Sequence, residues 1–262
     1  MNSKQDITIL KIGGNVINDP TLLKEVLIDF ASITTPKILI HGGGKIAGNL
    51  SKKLGIEPKM HEGRRITDQE TLDIVTMVYA GLLNKRIVSL LQEAKCNAIG
   101  LSGADANTIQ ANKRPVKDID YGFVGDLNSE SINESALTIF LQNGLTPVFC
   151  AITHNKKGQL FNTNADTIAS SIANQLASTQ HVRLIYCFEK KGVLQDIEDE
   201  DSYIPKITPE IYQDLKSKNI IFEGMIPKLD NAFNSINKGV KEVILCNPSN
   251  IKTLEEKTIL CL

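Results

Sequence analysis

Short apolar runs alternate with longer amphipathic ones along most of the chain. Runs rich in β-branched residues occur at 7–12, 37–41, 97–101 and 146–152. Apolar residues at helical spacing follow the first two runs, at 20–32 and 44–54. Because strands that alternate with helices are typical of βαβ units, this pattern predicts a three-layer α/β/α sandwich with a mainly parallel central sheet.

Two polar, turn-rich segments interrupt this alternation. The longer one, about 103–127, and the shorter one, 60–67, contain closely spaced glycine, proline, asparagine and aspartate residues or paired charges. Both segments predict hairpins rather than further βαβ units. Ligands of open parallel sheets bind at the carboxyl ends of the strands, so we expect the hairpins to act as flaps over a substrate there.

The second half of the chain resumes the alternation. Its pattern predicts a helix, a strand, two further helices and a last strand, at 164–175, 181–188, 208–217, 228–238 and 241–246. The sequence shows no long linker or low-complexity tract between the two halves. We therefore predict a single domain over 1–262, with an N-terminal lobe of about 1–165 and a C-terminal lobe of about 166–262.

Composition narrows the class of protein. With 262 residues, 42% of them apolar, the chain can bury a substantial core, and its net charge of −1 offers no field that favours nucleic acid or an anionic membrane. No run approaches the roughly 20 apolar residues of a membrane span. The five cysteines are odd in number and lack metal-ligand spacing. They indicate reduced thiols and a cytoplasmic location.

The first candidate site lies where the first predicted strand ends, in Lys11-Ile12-Gly13-Gly14. Glycines leave backbone N–H groups open to phosphate oxygens, and the lysine adds a mobile positive charge. A tight turn beside a solvated lysine explains the same residues. In isolation, the turn is the better interpretation.

A stronger candidate follows the second predicted strand, in His41-Gly42-Gly43-Gly44-Lys45. Three consecutive glycines are entropically costly, and a helix that begins at Gly44 presents its positive end to an anion. Ile46 stands where a Walker A loop carries Ser or Thr, and the glycine spacing of a dinucleotide fingerprint is absent. The pattern therefore favours a different phosphate or carboxylate site, with His41 as a packed residue.

Two arginines in the shorter hairpin could hold a carboxylate. Arg64 and Arg65 precede Thr67 and Asp68, either of which could cap a following helix. The planar guanidinium donates two parallel hydrogen bonds to a carboxylate. A solvated basic turn is the competing interpretation, which we favour for Arg64 and not for Arg65, although only the family comparison below separates the two.

Polar residues also mark the beginnings of two later helices. In Asn162-Thr163-Asn164-Ala165-Asp166, one asparagine can cap the helix and the other remains available to a ligand. In Gly224-Met225-Ile226-Pro227-Lys228, the lysine lies in the first turn and opposes the helix dipole. A phosphoryl group would compensate that charge, although a surface lysine explains it too.

Taken in order, LKIGGN, HGGGK, GRRITD, NTNAD and GMIPK resemble the amino acid kinase family, and within it the branch that acts on N-acylglutamates. The resemblance covers nearly the whole chain and includes Asn84-Lys85, IGLSGADAN at 99–107 and YGFVGDL at 121–127. Five ordered motifs are far more specific than one. The resemblance implies the amino acid kinase fold.

The resemblance also implies roles by position. Lys11 and Lys228 match two lysines that stabilise the transition state, and Asp166 matches the carboxylate that organises them. Arg65 and Asn162 match the groups that hold the α-carboxylate and amide region of the substrate. We thus expect these five side chains to carry catalysis and substrate binding.

Backbone donors and nucleotide contacts are implied in the same way. Gly13 and Gly14 match donors to the ATP phosphates beside Lys11, and Gly43 and Gly44 match donors that also reach the acceptor substrate. The adenine base is expected beside two short segments, which consist of Glu189, Lys190, Lys191, Gly192, Val193, Leu194, Ile220, Ile221 and Phe222.

The implied reaction is ATP-dependent phosphorylation of the γ-carboxylate of N-acetyl-L-glutamate, the second step of arginine biosynthesis. The N-terminal lobe would bind the acylglutamate and dimerise, and the C-terminal lobe would bind ATP. The attacking carboxylate is already ionised, so no general base is expected. Magnesium would be held mainly by the nucleotide, so no metal site is expected among the side chains. Because about six residues precede Ile7, we also predict a homodimer that is insensitive to arginine.

Departures from the family pattern leave alternatives. Phe188-Glu189-Lys190-Lys191-Gly192 stands where relatives carry an aspartate followed by small or apolar residues. Arg64 and the segment 103–118 differ near the expected acyl end, where an added cation would suit N-succinyl-L-glutamate. Other family members, such as aspartokinase, glutamate 5-kinase, carbamate kinase and uridylate kinase, and a non-catalytic ligand-sensing protein are further alternatives.

Overall fold

A computed structural model describes residues 4–196, 198–218, 220–221 and 225–262. Its contacts divide the chain into two compact units. The first unit joins the residues up to Lys37 to Ile172–Leu262, and the second comprises Ile38–Ser171. The sequence carries no sign of the boundary after Lys37. The functional division into lobes near residue 165 stays a prediction.

Fourteen strands are numbered here in chain order within the described residues. They are β1 (Asp6–Ile12), β2 (Lys37–His41), β3 (Met60–His61), β4 (Arg64–Arg65), β5 (Ala98–Leu101), β6 (Asn112–Lys113), β7 (Gly125–Asp126), β8 (Thr146–Cys150), β9 (Ile152–His154), β10 (Leu160–Asn162), β11 (His181–Cys187), β12 (Lys206–Ile207), β13 (Glu242–Cys246) and β14 (Thr258–Leu260).

The α-helices are numbered in the same way. They are α1 (Gly14–Asn18), α2 (Pro20–Ser32), α3 (Gly44–Lys53), α4 (Gln69–Thr76), α5 (Asn84–Glu93), α6 (Glu134–Gln142), α7 (Ala165–Leu176), α8 (Pro209–Ser217) and α9 (Ile226–Asn237). A π-helical segment, Met77–Leu83, joins α4 to α5 and is called the π turn below.

The sheet of the first unit is parallel except at one edge. Its strand order is β12-β14-β13-β11-β1, and only the β13–β14 pair of this described sheet is antiparallel. In β1, Ile9 and Leu10 are fully buried although they point to opposite faces. Burial on both faces requires layers on both sides and explains why this strand is a continuous apolar run.

The second unit contains a parallel sheet with the order β2-β8-β5 and three short hairpins. Every residue of β2 is buried. The hairpins are β3–β4, β6–β7 and β9–β10, all antiparallel. The two segments that the sequence marks as turn-rich thus form hairpins as predicted.

The structure confirms the predicted mainly parallel sheet with flanking helices. Helix α2 begins and ends at the predicted residues, and Asp19 caps it by accepting from the backbone N–H groups of Thr21 and Leu22. The sequence leaves two caps open for α4, and the structure selects Asp68, which accepts from Thr71 N at 3.0 Å. Short polar side chains therefore define these helix starts, as capping physics predicts.

The π turn rotates the helix face that follows α4. In a π-helix, hydrogen bonds run from residue i to residue i+5, so two residues five apart lie on nearly the same face. In an α-helix, two residues five apart are separated by about 140° around the helix axis. Tyr79 and Asn84, five apart, are 5% and 1% exposed. Met77 and Leu82, also five apart, are 55% and 47% exposed. The π turn thus places the first pair in the interior and the second pair on the surface.

The continuous helical stretch Gln69–Glu93 has 25 residues and is long and apolar enough to cross a membrane by length and composition alone. The sequence predicts no such segment. However, 44% of its apolar window is buried inside the fold, and the core helix of a soluble protein passes the same test. This helix is therefore weak evidence for a membrane span.

Candidate active site

The glycine-rich loop after β2 is shaped by the π turn. Gly43 has φ 155°, and a Cβ there would overlap Leu83 Cδ1 and lie 2.9 Å from Tyr79 Cδ1. Only glycine fits this position. Helix α3 begins at the next residue, and within this described helix no side chain caps its N-terminus. Its first N–H groups are therefore available to an anionic ligand.

Arg65 lies beside this loop. Its Nη2 donates to the backbone oxygen of Gly44 at 2.9 Å, which ties β4 to the first turn of α3. Its Nη1 is buried and has no hydrogen-bond partner among the described residues. A buried guanidinium nitrogen without an acceptor is costly. This atom marks a place for a ligand oxygen.

Tyr79 completes the surroundings of Arg65. Burial raises the pKa of the Tyr79 hydroxyl, and the neighbouring Arg65 guanidinium opposes that shift. A Cβ on Gly44 would lie 3.8 Å from the same hydroxyl. The tyrosine thus lines the loop beside the arginine, a position that sequence patterns do not reveal because Tyr79 reads as an ordinary apolar helix residue.

Asn162 and Arg65 share Thr67 as a hydrogen-bond partner, because Thr67 Oγ1 also donates to the backbone oxygen of Arg65 at 3.4 Å. Its Nδ2 donates to Thr67 Oγ1 at 3.1 Å, and its backbone N–H donates to Phe123 O at 3.0 Å. Thr67 in turn bonds to both neighbours of Gly122, accepting from Phe123 N at 2.7 Å and donating to Tyr121 O at 2.9 Å. Three segments far apart in sequence therefore converge around the predicted substrate residues of the second unit.

Gly122 makes this convergence possible. Its φ is 71°, and a Cβ there would overlap the backbone oxygen of Thr67. A residue with a side chain cannot bring the long hairpin this close to Thr67. The segment YGFVGDL belongs to the predicted long hairpin and to the family resemblance, and in the structure Gly122 makes this backbone contact.

One asparagine of the NTNAD segment caps α7, as predicted, and the ligand-binding role of the other stays a prediction. Asn164 Oδ1 accepts from the backbone N–H groups of Asp166 and Thr167 at 2.8 and 3.0 Å, and so caps α7. Asn162 does not take part in this cap. Asp166 lies in the first turn of α7, where the helix dipole stabilises its negative charge.

In the first unit, Lys11 lies near the carboxyl end of β1. Burial raises the pKa of the Cys187 thiol, and the nearby Lys11 ammonium lowers it, so this charge lies close to the end of β11. A Cβ on Gly13 would lie 3.4 Å from the backbone oxygen of Cys187. The Lys-Gly-Gly motif therefore packs tightly against the neighbouring strand.

Lys228 reaches the same edge of this sheet. It lies exposed in the first turn of α9, and its Nζ is 5.4 Å from the ring centroid of Phe188, the residue after β11. A cation over an aromatic face is weakly attracted to it. Lys11 and Lys228 are thus both placed around the end of β11, and their role at a phosphate site stays a prediction.

Salt bridges connect the predicted base-binding segment 189–194 to acidic residues at 200, 201 and 256. Lys191 Nζ lies 2.6 Å from Asp201 Oδ1 and 2.8 Å from Glu256 Oε1, and these carboxylates raise the pKa of Lys191. Lys190 Nζ lies 2.9 Å from Glu200 Oε1. Both lysines have acidic neighbours, so nucleotide contacts through them stay a prediction.

Thr258 anchors the rest of that segment. Its Oγ1 accepts from Val193 N at 2.8 Å and donates to Ile204 O at 2.6 Å. A Cβ on Gly192 would overlap the same Oγ1. Ile220 and Ile221 are half-buried and buried respectively, and Phe222 lies outside the described residues, so their contacts with a base also stay predictions.

A family model described as the amino acid kinase family matches residues 6–247. The chain belongs to the amino acid kinase family. The resemblance inferred from five sequence motifs is thereby confirmed, and so is the amino acid kinase fold that it implied.

Two relatives within this family are similar over almost their whole length. The acetylglutamate kinase of Cytophaga hutchinsonii is 54% identical over 258 residues, 97% of each chain. That of Phocaeicola vulgatus is 52% identical over 248 residues, 95% of this chain and 96% of its own. Among solved structures, smu.665 from Streptococcus mutans aligns with a TM-score of 0.74 at 25% identity, covering 97% of this chain and 98% of its own.

The predicted site residues of this amino acid kinase family member therefore form two sets. Gly43, Gly44, Arg65, Asn162 and Asp166 lie within the second unit, and Lys11, Gly13, Gly14, Lys228 and the described base-binding residues lie within the first. The sequence motifs overlooked Tyr79.

Proposed function

We propose that this protein is an acetylglutamate kinase, which transfers the γ-phosphate of ATP to the γ-carboxylate of N-acetyl-L-glutamate. The product is N-acetyl-L-glutamyl 5-phosphate, and the reaction is the second step of arginine biosynthesis. The observation that carries this proposal is 54% identity, over 97% of both chains, to a protein of that name.

The acceptor site consists of Gly43, Gly44, Arg65 and Asn162. The unpartnered Nη1 of Arg65 supports this assignment, because a carboxylate would supply its missing acceptor. The backbone N–H groups at the start of α3 add positive partial charge beside it. A substrate with two carboxylates, one to be held and one to be phosphorylated, fits these donors.

Phosphoryl transfer needs positioning and positive charge more than covalent help. Lys11 and Lys228 balance the negative charge that develops on the transferred group, and Gly13 and Gly14 donate backbone N–H groups to the phosphates. The family resemblance assigns to Asp166 the role of organising the lysines. The acceptor carboxylate is ionised at neutral pH, so no side chain removes a proton.

Magnesium enters with the nucleotide in this proposal. The described residues include no group of three or more His, Cys, Asp or Glu placed to hold a metal ion. We expect phosphate oxygens and water to hold most of the magnesium coordination sphere. When bound, the ion neutralises phosphate charge while the lysines orient the nucleotide.

We further propose a cytoplasmic homodimer formed through the π turn. Met77 and Leu82 are large apolar side chains on one exposed face of the helix, 55% and 47% exposed. Exposed apolar patches mark association sites, and a second copy of this face would cover them. The Leu82→Arg variant should sediment as a monomer, because a buried unpaired charge opposes association.

The matched control for this dimer is Ile28→Arg, which places the same charge at an exposed apolar residue of α2. It should sediment like the wild type in analytical ultracentrifugation. A monomeric wild type, or a Leu82→Arg variant that remains dimeric, would contradict the proposed interface.

Hydroxamate trapping of the acyl phosphate tests the activity. N-acetyl-L-glutamate, N-succinyl-L-glutamate, free L-glutamate and L-aspartate are offered in parallel with MgATP. We expect turnover on N-acetyl-L-glutamate. Preference for the succinyl compound would move the assignment to that substrate, activity on a free amino acid alone would indicate a sibling kinase, and no turnover would favour a ligand-sensing protein.

A further inference from the structure

A buried chain of hydrogen bonds connects α5 to the glycine-rich loop. His41 Nδ1 lies 2.8 Å from the carbonyl oxygen of Gly42, and Asn84 Nδ2 lies 3.1 Å from His41 Nε2. Asn84 Nδ2 also donates to Val148 O at 2.9 Å. All of these polar atoms lie inside the second unit, where an unpaired group would be costly.

The partners determine which nitrogen of His41 carries the proton. A carbonyl oxygen only accepts, so Nδ1 must be the donor to Gly42. The amide nitrogen of Asn84 only donates, so Nε2 must be the bare acceptor. Neutral imidazole protonated at Nδ1 is thus the one form that satisfies both contacts.

Lys85 fixes the orientation of the Asn84 amide. Its Nζ lies 3.2 Å from Asn84 Oδ1 and 3.0 Å from Gly100 O. A Cβ on Gly100 would overlap Asn84 Oδ1, so glycine makes room for this contact. Asn84, Lys85 and Gly100 therefore belong to one network. The proposed reaction assigns no role to any of them.

The π turn directs the side chains of this network towards the glycine-rich loop. Tyr79 and Leu83 contact the space that a Gly43 side chain would fill, and Asn84 contacts His41 two residues earlier. In a regular α-helix, Asn84 would point about 140° away from Tyr79. The extra residue of the π turn lets one helix support both ends of the His41–Gly43 segment.

We propose that Asn84, through neutral His41 and with Lys85 behind it, is a positioning residue that holds the Gly42–Gly44 backbone in the geometry required for phosphoryl transfer. This inference rests on the proposed kinase function. Asn84 is buried, and Lys85 contacts its amide oxygen. They act through the loop, whose N–H groups lose their alignment when the Gly42 carbonyl is released.

The spectrum of His41 tests the network without any activity. In protein labelled with ¹⁵N-histidine, the signal of His41, identified among four histidines by its loss in His41→Gln, should be that of the Nδ1–H tautomer. Lys85 and Cys150 are the titratable groups that face it, and we expect no titration between pH 6 and pH 8. An Nε2–H signal, or titration in that range, would overturn the proposal.

The isosteric variant Asn84→Asp gives the second readout. Its carboxylate cannot donate to Nε2, so the imidazole must take a second proton, and its signals should titrate. We expect kcat for N-acetyl-L-glutamate to fall about 100-fold, because misplacement by about 1 Å costs that much. KM should change less than about threefold, since the substrate side chains remain.

Gln92→Ala is the matched control. Gln92 lies on the same α5 and donates to Ala98 O at 3.0 Å, so it too links this helix to β5, but it lies two turns from the loop. It should keep wild-type kcat and KM. Full kcat in Asn84→Asp, with an active wild type, would overturn the positioning role. An inactive wild type would refute the proposed function, and the His41 spectrum would still decide the network.

Discussion

Replacing Lys228 by alanine should lower kcat about 1000-fold, roughly 4 kcal/mol of lost transition-state stabilisation. The ammonium lies in the first turn of α9, where the helix dipole repels it, and 5.4 Å from the Phe188 ring centroid. A cation held in an unfavourable place suggests that its stabilisation comes from a ligand. Hydroxamate trapping at saturating ATP and N-acetyl-L-glutamate measures the loss.

The control for this variant lies at the other end of the same helix. Lys238 is exposed at the C-cap of α9, where a cation suits the dipole. Lys238→Ala should retain wild-type kcat. The thermal unfolding midpoint of Lys228→Ala should match or exceed that of the wild type, since removing an exposed, repelled charge costs no packing. A Lys228→Ala enzyme with more than about one tenth of wild-type kcat would remove the lysine from catalysis.

Substitution of Arg65 by lysine should raise KM for N-acetyl-L-glutamate about 100-fold, roughly 2.7 kcal/mol. Lysine keeps the charge but loses the fork that donates at once to Gly44 O and to a ligand carboxylate. The KM for ATP should change little, because the contacts of Arg65 lie in the acceptor region.

Arg64 supplies an adjacent control with the same side chain. It is exposed and lies on the same short strand. Arg64→Lys should leave KM for N-acetyl-L-glutamate unchanged. The same pair also tests the acyl group, because a role for Arg64 in holding a succinyl carboxylate would appear as a rise in KM for N-succinyl-L-glutamate alone. Unchanged kinetics in Arg65→Lys would exclude the proposed acceptor site.

Much of the fold could be read from local patterns. The strands at 6–12 and 37–41 are short apolar runs, and the helix at 20–32 begins with an aspartate cap followed by proline. Each signal lies within a few residues of the element that it specifies. Local chemistry is sufficient in such cases because propensity, capping and burial pattern agree.

The π turn could not be predicted in this way. Helical periodicity continues from α4 to α5, and a single additional residue changes the phase without breaking the apolar pattern. The rotation is revealed only by what the helix contacts, Gly43 through Tyr79 and His41 through Asn84. Those contacts join residues about 40 positions apart, a distance beyond any local rule.

The candidate site was predictable to the extent that residue type specifies chemistry. The sequence selects Arg65 over Arg64 by resemblance, and the structure supports that choice with a buried, unpartnered Nη1. Lys190 and Lys191 illustrate the limit. Their acidic neighbours Glu200, Asp201 and Glu256 follow by 10 to 65 positions, and no spacing rule connects them.

The first unit consists of residues from both ends of the chain, which affects how it can fold during synthesis on the ribosome. All seven residues of β1 pair with β11, so that Asp6 faces His181 and Ile12 faces Cys187. The second unit, a continuous stretch, can fold as soon as it emerges. Meanwhile, the edge of β1 that pairs with β11 has no partner until about 170 further residues have been synthesised. Premature termination before residue 181 would therefore leave one edge of β1 open to pairing with another chain.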